Sequence, residues 1–148
     1  MLLGRRIWNA SAADAFPGAY LRTAESADLE EIRPAAPTWL IAVRAAEAKK
    51  ATDIKVLDLK GITSFADYFV ICTGAHQRQI QAVSDEVSLQ LKQQAHELPL
   101  SLEGYNQAEW VLADYGDLLV HIFSPKAREY YDLERLWRSA KTVEIPAA

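Results

Sequence analysis

The sequence predicts a single α/β domain, a mixed five-stranded sheet with helices packed on it, and three observations carry that expectation. Tyr68-Phe-Val-Ile-Cys-Thr73 is apolar on both faces, the pattern of a central strand. A long amphipathic segment follows, with Ile80, Val83, Val87 and Leu91 on one helical stripe. Two further apolar runs, Trp110 to Ala113 and Leu118 to Phe123, flank Asp114-Tyr115-Gly116-Asp117, where a glycine between acids suits a tight reversal. Half of the 148 residues are apolar, enough for a domain of this size to bury a core without disulfides or metals.

Residues 1–37 differ from the rest. Short apolar patches (Leu2-Leu3, Ile7-Trp8, Phe16, Tyr20-Leu21) alternate with small and acidic residues and close on Pro34-Ala-Ala-Pro37. They predict an N-terminal extension to a domain spanning 38–148. Trp8, Phe16 and Tyr20 either dock on the domain or on a second copy, or belong to a loosely held tail. Arg5 and Arg6 give a basic start, but the residues after them are too short and polar for a secretory signal, and the acids returning from Asp14 disfavour an organelle transit peptide.

From Thr38, an N-cap candidate, the alanine-rich run to Lys50 predicts a helix, with Lys49 and Lys50 at its negative end. Ile54 to Leu59 predicts a strand bounded by Lys60-Gly61, and Tyr68–Thr73 the next. A helix is expected over about His76 to Ala95. Leu98 to Leu102 reads as a short strand that Pro99 confines to an edge or a strand start, and Glu103-Gly104-Tyr105-Asn106 as a turn. After the hairpin, Ser124-Pro125 opens a helix whose stripe Tyr130, Leu133, Leu136 and Trp137 continues to about Lys141.

Strand alternation sorts the hairpin. A two-residue loop, Tyr115-Gly116 or Gly116-Asp117, gathers Val111, Ala113, Val120 and Ile122 on a core face. It leaves Trp110, Leu112, Asp114 and His121 on a mixed aromatic and polar face. That face suits a protein interface, because Trp supplies contact area and a carboxylate orientation; equally, Trp110 packs under the last helix.

Chemistry is sparse. A formal charge of −4 and a pI near 5.4 argue against gripping nucleic acid by bulk electrostatics. The lone Cys72 sits in an apolar run and reads as a buried, inert thiol in a reduced compartment. Thr73-Gly74-Ala75-His76 lies where a strand-to-helix turn can bind phosphate, but it lacks the further glycines and lysine of a phosphate loop. Asp67, Glu103, Asp114 and Asp117 place no two carboxylates on one strand face for magnesium, and His76, His96 and His121 have no metal spacing. No serine or cysteine stands in evident register for His121 to activate, so it reads first as a structural or interface histidine. The expectation is a non-enzymatic binding protein without cofactor or metal. No run approaches the roughly 18 apolar residues of a membrane helix, and a cytoplasmic location is expected.

Ser64-Phe-Ala-Asp-Tyr-Phe-Val-Ile-Cys-Thr-Gly74, Arg78-Gln79, Glu103-Gly104, Glu109-Trp-Val-Leu-Ala-Asp-Tyr-Gly-Asp117, Val120-His-Ile-Phe123 and Arg128-Glu-Tyr-Tyr-Asp-Leu-Glu-Arg-Leu-Trp137 together resemble the ribosomal silencing factor family, RsfS or Iojap. The resemblance spans about residues 40–140. It implies a translation repressor that binds ribosomal protein L-fourteen on the large subunit and blocks joining of the small one. It also implies a nucleotidyltransferase-like topology, which makes a nucleotide-using enzyme the rival reading, although the paired metal-binding aspartates of such enzymes have no counterpart here. The contact residues implied by the resemblance are Trp110, Leu112, Asp114, Tyr115 and Gly116; His121 joins them by alternation. Ala113 departs from the bulkier aliphatic usual in the family. A homodimer is a further implication, and residues 1–37 have no counterpart in the family pattern.

Overall fold

A computed structural model describes residues 36–148; the expected extension lies outside them except for Ala36 and Pro37. The elements run α1 (Thr38–Ala48), β1 (Thr52–Asp58), β2 (Tyr68–Thr73), α2 (Gln77–Ala95), β3 (Ser101–Glu103), β4 (Trp110–Asp114), β5 (Leu118–Phe123), α3 (Pro125–Tyr131), α4 (Leu133–Leu136) and β6 (Lys141–Val143). Among the described residues six strands, not five, form one mixed sheet in the order β3-β4-β5-β2-β1-β6. Only the central β2–β5 pair is parallel. Both strands are buried almost throughout, in keeping with their nearly continuous apolar sequences.

Two apolar layers enclose the sheet. On one side α1 and α2 cover Val56, Val70, Cys72, Val111, Ala113, Val120 and Ile122, and all four stripe residues of α2 are fully buried. On the other side Phe69, Ile71, Leu119 and Phe123 lie under Ala127, Leu133 and Trp137, joined by Leu59, Phe65 and Ala66 from the loop after β1. The hairpin takes the two-residue loop Gly116-Asp117: Tyr115 N–H donates to the Leu118 carbonyl at 2.8 Å, and Leu112 lies opposite His121. Gly116 has φ +91°, a conformation a side chain would resist.

Several details depart from the sequence reading; the short strand expected at Leu98 to Leu102, for one, lies at Ser101–Glu103, with Pro99 outside it. Pro37 rather than Thr38 is the N-cap of α1, with its carbonyl accepting from Leu40 and Ile41; Thr38 is already helical. β1 begins two residues early through a bulge at Asp53, whose φ of +51° lets the strand pair with Thr73 before resuming register at Lys55. The final helix is broken: Asp132, at φ +46°, ends α3 and starts the single turn of α4. The chain then returns as β6 to pair with β1.

His76 caps α2 rather than forming its first turn, accepting from Gln79 N–H at 3.2 Å through Nδ1.

Candidate partner-binding site

The β4–β5 hairpin places Trp110, Leu112, Asp114, Leu119, His121 and Phe123 on the face covered by α3 and α4. Gly104 sets the entry to β4. It has φ +79°, and a Cβ there would collide with the Trp110 carbonyl oxygen, so only glycine lets the two backbones approach. Ser124 then bonds back across the hairpin, its N–H to the Glu109 carbonyl at 2.9 Å and its hydroxyl to the Glu109 carboxylate at 2.8 Å. The same hydroxyl accepts from Ala127 N–H, capping α3 and fixing where that helix leaves the sheet.

Trp110 is half-buried, at the centre of an aromatic cluster. Its ring lies 4.6 Å from Tyr131 and 5.0 Å from Phe123, centroid to centroid. Its indole N–H donates to His121 Nδ1 at 3.1 Å. The acceptor role of Nδ1 requires the proton of neutral His121 to sit on Nε2. His121 is only 3 % exposed, packed against Phe69 at 4.5 Å, and its Nε2 has no hydrogen-bond partner among the described residues. Burial without a compensating charge lowers its pKa to about 3. At neutral pH it is an uncharged prop for the Trp110 indole.

The other sequence-derived positions are not all on the surface. Asp114 is 2 % exposed, and its carboxylate accepts from Gly116 N–H at 2.9 Å, tying down the turn. Tyr115 points to the opposite layer with the α1 and α2 core, where burial pushes its phenol up to about 12. Leu112 and Gly116 are half-buried. Trp110, Leu112 and Gly116 therefore offer the accessible atoms of the set, while Asp114, Tyr115 and His121 support them from within.

Sequence reasoning missed the surface that continues this face. Tyr130 is 78 %, Leu136 73 % and Tyr131 49 % exposed, although the first two belong to the stripe expected to be core. The break at Asp132 turns them outward, and with Arg135, Arg138 and Ser139 they line an open cleft of about 640 Å3. A signal was present in adjacent Tyr130 and Tyr131, because neighbours on a helix point about 100° apart and both cannot enter one core. Arg128 holds the break in place. It makes two hydrogen bonds to the Glu134 carboxylate at 2.8 and 3.1 Å across Asp132, and one to the Thr73 hydroxyl at 2.8 Å. The guanidinium holds the Glu134 carboxyl below the usual range.

Elsewhere the structure accounts for residues that invited a chemical reading. Gly74 leaves room for Ile80, whose Cγ1 would be 2.7 Å from a Cβ, and the amides of Gly74 and Ala75 already donate to the Phe123 carbonyl and the Gln79 side chain. Cys72 is fully buried, and desolvation raises its thiol to about 12. Among the described residues no group of three or more His, Cys, Asp or Glu side chains is placed to hold a metal, and no helix is long and apolar enough to cross a membrane.

The architecture defines a small α/β domain that carries an aromatic surface on one layer. Comparison with known proteins gives it a family. The sequence model for "Ribosomal silencing factor during starvation" matches residues 33–148. Ribosomal silencing factor RsfS of Halalkalibacterium halodurans is 46 % identical over 105 residues, 71 % of this chain and 89 % of that protein. The factor of the same name from Bacillus subtilis is 41 % identical, over 71 % and 88 %. A crystal structure of a Chromobacterium violaceum protein superposes with a TM-score of 0.66 at 34 % identity, covering 75 % of this chain and 91 % of that one. The chain belongs to the ribosomal silencing factor family, which is not an enzyme class and whose name implies a ribosome-associated factor.

Proposed function

We propose that this protein binds the large ribosomal subunit through ribosomal protein L-fourteen, sterically blocks joining of the small subunit and so represses translation. Family membership supports the ribosome as target, and one observation supports the surface: Trp110 is half-exposed on a sheet face, fixed by His121 behind it and Tyr131 beside it. A large aromatic group whose rotamer is already set loses little freedom on docking, which is what an interface anchor requires. Trp110, Leu112 and Gly116 make the contact in this reading. Asp114, Tyr115 and His121 act through them, by holding the turn and the indole.

The protein acts as a binding factor in the cytoplasm, without catalysis, cofactor or sequence-specific nucleic-acid recognition. Residues 38–148 are the ribosome-binding domain and 1–37 an extension to it; off the ribosome, two copies pair through a sheet edge or through the aromatic face. Co-sedimentation tests the assigned surface. Leu112→Glu is expected to abolish co-migration with purified large subunits while leaving thermal melting within a few degrees of wild type. Undiminished co-migration of a folded Leu112→Glu chain would remove this face from the interface.

A further inference from the structure

We propose that the cleft at the α3–α4 turn binds one unpaired nucleotide of single-stranded RNA, the base stacked on Tyr130 and the phosphate held by Arg135 and Arg138. The proposal rests on the ribosome-binding reading only in naming that RNA as ribosomal.

Charge is the first support. Residues 125–141 carry five Lys and Arg against three acids, whereas the rest of the chain carries eleven against seventeen. An acidic molecule thus carries a net positive charge in this short segment. Within it Arg128 is neutralised by Glu134, but Arg135 and Arg138 are exposed and have no ion-pair partner among the described residues. Two free guanidiniums on the rim of one cleft match a phosphodiester, which they can meet with paired N–H donors.

Aromatic geometry is the second support. Tyr130 meets Tyr131 edge to face, at 5.0 Å and 90°, and Tyr131 is itself packed on Trp110. The chain Trp110–Tyr131–Tyr130 presents an exposed ring on a supported platform, the arrangement on which an unpaired base stacks. A duplex does not fit this geometry, because its base faces are already stacked.

Asp132 is the one acid of the lining. Its carboxylate can accept from a base amino group or a ribose 2′-hydroxyl carried beside the phosphate. A nucleotide presents a flat face, an anion and a donor, and the cleft offers a ring, two cations and an acceptor. Because nothing here reads a base edge in full, binding should depend weakly on sequence.

The test is fluorescence anisotropy of an end-labelled single-stranded RNA hexamer titrated with the full chain, alongside an acidic-peptide probe. Saturable RNA binding is expected, weakening about two- to three-fold between 50 and 200 mM salt, the dependence for one phosphate neutralised on a single strand. Tyr130→Ala should weaken it about ten-fold. The double variant Arg135→Gln/Arg138→Gln should abolish most of the salt dependence, with melting unchanged for either variant, since these side chains are exposed. Absent RNA binding, binding unaltered in both variants, or binding of the peptide in place of RNA would each overturn the proposal. Co-sedimentation with large subunits separates the two readings. A wild-type chain that binds the hexamer but no subunits sinks the ribosomal reading and supports the cleft; one that binds subunits but no hexamer does the reverse.

Discussion

Lowering the pH should destabilise this fold through one residue, His121. Its native pKa of about 3 lies far below the value of 6.5 that the imidazole has when unfolded, so the unfolded chain binds a proton that the folded chain excludes. The contribution is therefore fully present above pH 6.5 and is lost progressively as pH falls from 6.5 towards 3. At pH 5, one and a half units into that window, the loss from His121 alone is about 2 kcal/mol, at about 1.4 kcal/mol per unit. His121→Gln is the control. Glutamine retains an acceptor for the Trp110 indole N–H, now 3.1 Å from Nδ1, but does not titrate. Urea unfolding of both chains at pH 7.5 and pH 5.0 gives the result as a difference, in which carboxylates and the other two histidines cancel. Wild type should lose about 2 kcal/mol more than His121→Gln over that interval. Equal losses would mean that His121 is protonated or solvated in the native state and does not act as the neutral prop of Trp110.

Other perturbations have defined outcomes. Arg128→Met removes three hydrogen bonds and leaves Glu134 able to rehydrate, so a loss of about 2 kcal/mol is expected in chemical unfolding, together with a changed near-ultraviolet signal as Tyr131 shifts on Trp110. Gly104→Ala forces a Cβ onto the Trp110 carbonyl at positive φ and should cost at least about 2 kcal/mol, read as a fall in the denaturation midpoint. Cys72, fully buried with its thiol raised to about 12, should react with a thiol reagent only after denaturant is added; rapid labelling of the native chain would contradict its placement.

Where local chemistry decides structure, the chain is easy to read. The hairpin follows from Gly116 and strand period, and the fully buried stripe of α2 from helical period. The C-terminal region is harder because tertiary contacts decide it. Tyr130, Leu133, Leu136 and Trp137 have the spacing of one helix, and nothing local forbids Asp132 from staying helical; what holds it at positive φ is the Arg128–Glu134 clamp and the docking of Leu133 and Trp137 beside Phe69. β6 is three residues long and exists by pairing with β1, so it has no pattern of its own. The burial of His121 has the same origin. Alternation assigned the correct face, but the broken helix supplies a second apolar layer over it. For the same reason the stripe spacing points Leu136 to the core, and only the adjacent pair Tyr130-Tyr131 signals an exposed ring.

The central claim is that the accessible part of this face meets ribosomal protein L-fourteen. Its most direct test is a pull-down of purified large ribosomal subunits, with and without that protein, on the immobilised full chain. Capture of complete subunits and loss of capture from depleted ones is the predicted result; equal capture of both would contradict the account.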